Sequence, residues 1–283
     1  MLRKTVPLFL VCLLSFSSWL QAQETRAERK QVRKEAKAAQ KATQSQYLVF
    51  GLNGRYGLTQ DFRMSKLTYQ GSGIGLVLAH RMRSPKIWDD LVIDPSYTVQ
   101  NASNGTSSLQ NVYGGITYRH LRRIKQLGAQ QDWNLYLGGE IDTRANVKLN
   151  ENLGNSAASW EGTSVLALSV GTQKDVNIPF TKFTLPFDAQ LAIPLFAYVY
   201  RGPEYSLSGL DDQLHAFTSL WGLPRAKTEI GMTIPFSKRN PNCLRVAYRW
   251  DFYAFNDNEI HPLRMAQHGL ALELLVNLSQ PKQ

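Results

Sequence analysis

Apolar and polar side chains alternate along most of the chain after Gln46, and this period of two constrains the fold more than any other feature. In the stretch DWNLYLGGEIDTRA, Trp133, Leu135, Leu137 and Ile141 occupy odd positions, and the even positions are mainly polar or charged. Because successive side chains of a β-strand point to opposite faces, this stretch forms a strand with one apolar and one charged face. Such a strand fits a soluble sheet, or a membrane barrel with a polar interior.

Ten segments of this character follow one another along the chain. They are 46–58, 67–81, 88–100, 109–121, 131–145, 160–173, 181–199, 221–236, 242–255 and 264–279. Many exceed the usual strand length of about five or six residues. Aromatic residues near their ends resemble the girdles that flank the lipid band of a membrane barrel. These residues are Trp88, Trp133, Trp160, Phe183, Trp221 and Phe236. We therefore predict an all-β fold, an antiparallel transmembrane β-barrel of about ten strands over 46–283, and a soluble β-sandwich or lipocalin-like barrel is the alternative.

The first 45 residues differ from the rest in composition. Residues 1–22 have a short basic start, an apolar stretch and a small residue, Ala22, before the expected cleavage point, which is the pattern of a secretory signal peptide. Residues 23–45 are rich in helix-forming Ala, Glu, Lys, Arg and Gln, with seven basic and three acidic side chains between Glu24 and Thr43. Val32 is their one large aliphatic residue, so we predict a short basic N-terminal helix in the periplasm. Only Cys12 and Cys243 exist, and the loss of Cys12 with the signal peptide leaves no partner for a disulfide.

The links between the predicted strands indicate an orientation. Links after even-numbered strands are short (Met82–Ile87, Arg122–Gln130, Lys174–Phe180 and Ser237–Pro241), whereas the longest, Asn146–Ser159 and Tyr200–Leu220, follow odd-numbered strands. Bacterial outer-membrane barrels have short periplasmic turns and longer external loops. The even links and their edges hold Arg81, Arg83, Lys86, Arg122, Arg123, Lys125, Lys174, Lys182, Lys238 and Arg239. The odd links hold Asp61, Glu151, Glu204, Asp211, Asp212, Asp257 and Glu259. We therefore expect a basic periplasmic rim, with anionic lipid or a cell-wall polymer as its partner and no nucleic acid.

The last predicted strand carries a motif that can be compared with a known family. Its segment QHGLALEL, Gln267 to Leu274, resembles the targeting signal in the last strand of outer-membrane β-barrel proteins, with matches at Gln267, Gly269, Leu272 and Leu274. The polar tail after this strand departs from the aromatic end of many members. The resemblance implies the outer membrane of a Gram-negative bacterium, its lipid, and the barrel-assembly machinery as partners. The cleavage region and the basic segment after it resemble those of exported Bacteroidota proteins.

Fourteen charged side chains are predicted to face the lumen of the barrel. The bases are Arg55, Arg119, Arg144, Lys227, Arg245 and Arg249, and the acids are Asp90, Asp94, Glu140, Asp142, Asp188, Glu229, Asp251 and Glu273. Six bases facing eight acids in a narrow barrel can neutralise one another, as buried charges require. We therefore interpret the lumen as a cross-linked polar plug, with a narrow porin-like channel as the alternative.

Enzymatic barrels provide a second class of function. Outer-membrane lipid hydrolases resemble one another in a His-x-Ser pair, and none of the five histidines has Ser two residues on. Omptin proteases, also ten-stranded, use Asp and His at the external rim. Similar residue types occur here at Asp211, Asp212, His215, Asp257, Glu259 and His261, without the omptin spacing. Because polar loops commonly carry such residues, we predict no catalytic site, and an omptin-like rim hydrolase is the second alternative.

Motifs for cofactors are also missing from the sequence. It has no phosphate-binding glycine loop and no Cys–His spacing typical of a metal site, and we expect neither a cofactor nor a metal. The glycines Gly71, Gly73 and Gly75 lie in a predicted strand, where they allow close packing. The function that the sequence favours is a barrel with a charge-filled narrow lumen and a structural or binding role carried by its external loops.

Overall fold

The structure, a computed structural model, describes residues 45–62, 65–128, 133–150, 157–177, 184–202, 205–206, 209–210, 214–237, 241–255 and 262–279. The predicted signal peptide and the predicted basic helix lie outside the described residues, apart from Ser45, which begins the first strand. Among the residues described, no helix has the length and apolar character needed to cross a membrane.

Fourteen β-strands are present in the described residues. They are β1 Ser45–Asp61, β2 Thr68–Arg83, β3 Ile87–Ile93, β4 Ser96–Ala102, β5 Ser108–Leu127, β6 Trp133–Asn150, β7 Ala157–Asn177, β8 Thr184–Arg201, β9 Tyr205–Ser206, β10 Gly209–Leu210, β11 Leu214–Ser219, β12 Arg225–Pro235, β13 Cys243–Phe255 and β14 Leu263–Asn277. Strands β9 and β10 form a separate short hairpin. The others form one antiparallel sheet.

This sheet closes into a barrel because β1 pairs with both β2 and β14. Strands β3 and β4 pair in succession between β2 and β5, and β11 and β12 both pair with β8. If β3 and β4 are counted as one barrel strand, and β11 and β12 as another, the described part of the chain forms a barrel of ten strands. The predicted all-β antiparallel ten-stranded barrel is therefore confirmed. We call the end that carries Ser45 and Asn277 the terminal end, and the end that carries Asp61 and Leu263 the loop end.

The third barrel strand is interrupted at Asp94 and Pro95, within the predicted strand 88–100. Proline has no N–H to donate to a ladder. Hydrogen bonds to both neighbouring strands continue through the break, because the Leu76 N–H donates to the Pro95 carbonyl at 2.9 Å and the Asp94 N–H donates to the Gly115 carbonyl at 3.0 Å. The barrel wall is thus continuous at this point.

The predicted strand 221–236 begins too early, because β12 starts at Arg225. The predicted loop Tyr200–Leu220 contains the short strands β9 and β10 and also β11, which pairs with β8 in the barrel wall. The chain turns between β11 and β12, where the N–H groups of Gly222 and Leu223 donate to the Ser219 carbonyl at 3.1 and 3.0 Å. Pro224 follows and cannot extend the ladder. The other long link is also shorter than predicted, because β6 continues to Asn150 and β7 begins at Ala157.

A β-bulge in β8 reverses which residues of that strand point inward. Ala167 of β7 pairs with Pro194 and Leu166 pairs with Phe196, so Leu195 is an extra residue. Asp188 and Ala192 point inward before the bulge, whereas Ala197, Val199 and Arg201 point inward after it. An inserted residue shifts the period-two pattern by one position, and this explains the reversal.

The outer surface is apolar around the barrel. Large aliphatic side chains are exposed there, with Ile74 at 74%, Leu52 at 66% and Leu270 at 61%. Inward-facing side chains are mainly polar, charged or small. This arrangement is the reverse of a soluble barrel, which buries its apolar face.

Aromatic side chains occur on the outer surface near the strand ends, with one correction to the prediction. Trp133 lies on this surface, with the Lys174 ammonium 4.9 Å from its ring centroid. Trp160, Trp221 and Phe236 are also exposed. Trp88 was predicted to belong to the girdle and instead is buried in the interior, where its indole N–H donates to Asp90 at 2.8 Å. The side chain of Phe183 lies outside the described residues.

Candidate functional site

The barrel lumen is the candidate site, because charged side chains from nearly every strand converge there. The structure places all fourteen predicted lumen residues on inward-facing positions. Their burial is deepest at Glu273, Glu140 and Arg245, each at most 1% exposed. A buried charge is stable only with partners that replace water, so the arrangement of these contacts decides what the lumen can do.

The terminal-side cluster consists of Arg81, Asp188, Glu229, Arg245, Arg249 and Glu273. Arg245 lies at its centre, with its guanidinium 2.5 Å from Asp188, 2.7 Å from Glu229 and 3.0 Å from Glu273. Arg249 is 3.0 Å from Glu229 and 2.6 Å from Glu273. Arg81 is 3.0 Å from the same Glu273 carboxylate. Three guanidinium groups and three carboxylates thus form one neutral cluster.

The middle cluster consists of Asp90, Arg119, Glu140, Asp142, Arg144, Arg225, Lys227 and Asp251. Arg119 is 3.0 Å from Asp90 and 2.6 Å from Glu140. From the opposite wall, the Lys227 ammonium is 3.0 Å from Glu140 and 2.6 Å from Asp142.

Two further arginines complete the middle cluster. Arg225 bridges Asp142 and Asp251 at 3.1 Å each. Arg144 pairs with the same two carboxylates. The contacts of Lys227, Arg225 and Arg144 join β6 to β12 and β13 across the lumen, so they connect opposite walls of the barrel.

A separate pair, Arg55 and Asp94, lies beside the middle cluster. The Arg55 guanidinium is 2.9 Å from the Asp94 carboxylate and also donates to the Gln267 side-chain oxygen at 3.3 Å. The ring of Tyr113 lies between two arginines, 4.9 Å from Arg55 and 5.5 Å from Arg144, at distances typical of cation–π contacts.

The loop-side cluster consists of Asp61, Lys148, Glu161 and Arg201, none of which is among the predicted lumen residues. Lys148 is 2.7 Å from Asp61 and 3.2 Å from Glu161, and Arg201 is 2.5 Å from Asp61. The Tyr253 hydroxyl donates to Glu161 at 2.6 Å. Asp61 was assigned to an external link and Arg81 to the edge of a periplasmic one. Both assignments are wrong, because both side chains are 2% exposed inside the barrel.

The charges of these groups balance. Across the three clusters and the Arg55–Asp94 pair, the described residues contribute ten bases and ten acids. One further base, Arg83, reaches Asp90 at 2.5 Å from the terminal rim. The lumen is therefore close to neutral, with an excess of one base when Arg83 is included.

Two small cavities lie between these side chains. A cavity of about 50 Å³ lies beside Arg55, Tyr113 and Arg144, and another of about 10 Å³ lies beside Arg225. The larger one has room for a few water molecules.

Of the rim residues considered above as a possible hydrolase site, only His215 lies within the described residues. His215 points outward and its Nδ1 is 2.6 Å from the Tyr198 hydroxyl. Asp211, Asp212, Asp257, Glu259 and His261 lie outside the described residues. His120 is also outward and contacts Asp89 at 2.5 Å. Within the described ranges, no group of three or more His, Cys, Asp or Glu side chains has a geometry suited to a metal ion.

The residues that match the targeting motif lie in β14, the strand that closes the barrel against β1. Gln267 and Gly269 point inward, whereas Leu272 and Leu274 are exposed on the outer surface. The register places Gly269 opposite Arg55 and Leu272 opposite Leu52. The motif therefore contributes both to the lumen and to the outer apolar surface.

Comparison with known proteins gives matches at the level of solved structures. No protein-family model matches the sequence, and no curated protein matches it. The chain is similar to the translocator domain of the autotransporter NalP from Neisseria meningitidis, with 8% identity, coverage of 88% of this chain and 97% of that one, and a TM-score of 0.41.

Two other solved structures illustrate the range of these matches. The outer membrane protease OmpT from Escherichia coli has 6% identity, coverage of 83% and 96%, and a TM-score of 0.41. The toluene transporter TodX from Pseudomonas putida has 9% identity, coverage of 82% and 89%, and a TM-score of 0.29. With TM-scores below 0.5, these likenesses carry no inference about activity.

Proposed function

We propose that this protein is an outer-membrane β-barrel with a closed lumen, whose role is structural or is carried by binding at its loop end. The observation that carries the proposal is the set of ion pairs that cross the lumen, such as those of Lys227 with Glu140 and Asp142. A conducting pore needs a continuous aqueous path, whereas here charged groups of opposite walls are in direct contact.

The outer surface supports the membrane location. A barrel with exposed aliphatic side chains around its wall and paired charges inside matches the solvent preferences of a bilayer. Together with the predicted signal peptide and the targeting motif in β14, this surface supports the outer membrane of a Gram-negative bacterium. The barrel-assembly machinery would then read β14 during insertion. The likeness of the export signal to those of Bacteroidota stays a prediction.

The terminal end supports a periplasmic orientation with an anionic partner. Lys86, Arg122 and Lys125 are exposed at this end, beside the outward Lys174. Anionic lipid head groups or an acidic cell-wall polymer are the partners that such a basic rim would attract.

Membrane fractionation combined with heat-modifiable gel migration tests the location. We expect the protein in the outer-membrane fraction, with a folded form that migrates differently from the heated one. A freely soluble periplasmic product would contradict the proposal.

Single-channel recording in planar bilayers tests the closed lumen. We expect the wild-type barrel to show no steady openings, whereas the double variant Arg225→Ala/Lys227→Ala, which removes two ties across the lumen, should conduct. A matched control is Lys174→Ala on the outer surface, which should stay silent. Steady openings of the wild type would favour the narrow channel, and a rim hydrolase would be supported only by a hydrolytic activity of the folded barrel.

A further inference from the structure

The barrel wall is irregular where β11 ends and β12 begins. Strand β11 pairs with β8 over Leu214–Ser219, whereas β12 pairs with β8 only over Lys227–Met232. Residues 220–224 form the turn between these two ladders. Opposite the turn, residues 193–195 of β8 have no ladder partner on this side among the described residues.

The other edge of β11 is also unpaired in the part of the chain that the structure describes. Strand β13 pairs with β12 as far as Tyr253, and one more backbone hydrogen bond follows, from the Ala254 N–H to the Pro224 carbonyl at 3.0 Å. The wall between β11 and β13 therefore lacks the ladder that joins the other neighbouring barrel strands. A wall opens most readily where the fewest backbone hydrogen bonds have to break.

This unpaired part of the wall lies at the depth of the apolar band. An outer aromatic group at the loop end includes Tyr200, whose ring centroid is 4.5 Å from that of Trp160 and 4.6 Å from that of His215. Tyr200 pairs with His215, and Ser219 lies four residues closer to the terminal end, paired with Phe196. At a rise of about 3.3 Å per residue and a strand tilt of about 40°, Ser219 is about 10 Å from the aromatic group, inside an apolar band about 25 Å tall. Irregular backbone at such a depth occurs where it is buried in protein or lines a cavity.

The turn directs one side chain to the lipid and another to the interior. Trp221 is 89% exposed on the outer surface. Leu223 points inward and is 1% exposed, packed against apolar side chains of β7, β8, β13 and β14 that we call the apolar compartment. Its main members are Val165, Ala197, Val199, Tyr253, Phe255 and Met265. Leu223 therefore fills the apolar compartment from the unpaired part of the wall.

Paired charges bound the apolar compartment along the barrel axis. On the side of the middle cluster, Val165 shares the cavity of about 10 Å³ with Lys227. On the other side, the Tyr253 hydroxyl donates to Glu161 of the loop-side cluster at 2.6 Å. Lys227 and Glu161 each have a partner of opposite charge within 3.2 Å, so neither boundary offers a free charge to an ionic guest. A guest suited to this compartment is uncharged and apolar.

We infer that the wall between β11 and β13 is a lateral entrance from the bilayer to the apolar compartment, with residues 220–224 as its movable edge and Leu223 as its plug. The molecule that it admits is small, uncharged and apolar, and is dissolved in the bilayer. It takes the space that Leu223 vacates, and the middle cluster keeps the barrel closed to ions. The inference rests on the proposed membrane location and adds to the closed barrel a binding site with a stated class of ligand.

Photolabelling of the barrel in proteoliposomes tests the entrance, with an uncharged alkyl diazirine dissolved in the bilayer as the probe. Mass spectrometry then locates the label residue by residue. We expect label on the inward residues Val165 and Met265, and an excess of an unreactive alkane should reduce it. Inward Val49, which is equally buried but lies in a strand paired on both sides, should stay unlabelled. Leu223→Ala should raise the label on Val165 by about tenfold, because the guest no longer has to displace a buried leucine side chain.

Leu121→Ala is the matched control for the plug. Leu121 is also a fully buried inward leucine, and its strand β5 is paired on both sides. This variant should leave the label on Val165 at the wild-type level. An increase equal to that of Leu223→Ala would show that any loss of packing admits the probe, and would overturn the assignment of Leu223 as the plug.

A disulfide across the turn tests the route of entry. A Cβ on Gly222 would lie 3.2 Å from the Thr218 Cβ, close to the separation found in disulfides. In a Cys243→Ala background, oxidation of the variant Thr218→Cys/Gly222→Cys should remove the label from Val165, and reduction should restore it. Label that oxidation leaves unchanged would indicate entry from the loop end and would overturn the lateral entrance.

The outward residues Leu52 and Leu270 provide the reference for the membrane location, since both are exposed on the outer surface. If these two residues are labelled and Val165 carries no more label than Val49, the barrel lies in the membrane and the entrance is absent. If Leu52 and Leu270 are unlabelled as well, the membrane location itself is wrong. The two failures are thus distinguishable in one experiment.

Discussion

The Lys148 ammonium lies 2.7 Å from the Asp61 carboxylate, although the two residues belong to β6 and β1, which are separated by three barrel strands. Neither side chain is more than 2% exposed. Their contact therefore spans the lumen and joins walls that share no backbone hydrogen bond. Ion pairs of this type hold opposite walls of the barrel together, which the alternation of polar and apolar residues along each strand does not show.

The first prediction concerns this pair. Lys148→Met should lower the free energy of unfolding by about 3–5 kcal/mol if burial is complete, because Asp61 and Glu161 lose a shared cation. Asp61→Asn should have a comparable effect through Arg201. In the double variant the losses should be less than additive, as in a double-mutant cycle between contacting residues. The measurement is urea unfolding followed by the gel-mobility shift, and strictly additive losses would show that the two groups do not interact.

The second prediction ranks two arginines of the terminal-side cluster. Arg249→Ala should lower the unfolding temperature in detergent, or make the barrel leak in bilayers, because Glu229 and Glu273 each lose a partner. Arg245→Ala should be more harmful, since Arg245 is 1% exposed and pairs with three carboxylates, whereas Arg249 is 15% exposed and pairs with two. If stability and conductance are unchanged in Arg249→Ala while a hydrolytic activity disappears, the structural role is wrong.

The third prediction separates two strand glycines by the space around them. A Cβ on Gly73 would lie 2.0 Å from the Tyr97 carbonyl oxygen, whereas a Cβ on Gly114 would meet nothing within 4 Å. Gly73→Ala should therefore reduce the yield of folded barrel severely, and Gly114→Ala should leave it unchanged or slightly higher. Refolding yield into detergent, read from heat-modifiable migration, is the measurement. Equal yields would indicate that β2 and β4 are not in such close contact.

The fourth prediction concerns orientation. In a Cys243→Ala background, a cysteine at Asn104 in the turn after β4 should react with a membrane-impermeant maleimide on intact cells. A cysteine at Lys86, in the turn between β2 and β3 at the other end, should react only after the outer membrane is permeabilised. The predicted external positions Asn155 and Ser208 and the predicted periplasmic position Asn240 lie outside the described residues and extend the same test. Reversed labelling would overturn the proposed orientation.

Much of the barrel could be predicted because its inner face needs polar or charged side chains and its outer face needs apolar ones. Alternation assigned Arg245 and Asp251 to one face and Val246 to the other, and a bilayer outside the barrel then requires the charges to face inward. The same alternation also places two further side chains in the lumen. Trp88 has the same parity as Asp90, and Arg225 the same parity as Lys227, so both were readable as inward residues.

The loop-side cluster was less accessible to sequence reasoning. Asp61 and Lys148 lie beyond the predicted ends of their strands. The sequence has no turn residues there that would indicate where the pairing of the strands ends. Arg201 points inward only because Leu195 is an extra residue that forms a bulge in β8. Leu195 lies among other apolar residues, so the sequence does not distinguish it as the bulged residue. Contacts that cross the lumen are also invisible to strand periodicity, which describes each strand by itself.

Closure of β1 against β14 has a consequence for the order in which the barrel is assembled. Pairs such as Arg119 and Glu140 join neighbouring strands and can form as soon as a hairpin exists. Asp61 on β1 meets Lys148 and Arg201 only when the sheet has curled far enough to bring β6 and β8 across from it. An open sheet leaves these charges without one another, and a buried charge is stable only with a partner. Pairing of Asp61 with Lys148 and Arg201 therefore accompanies closure of the sheet and stabilises the closed barrel over any open form.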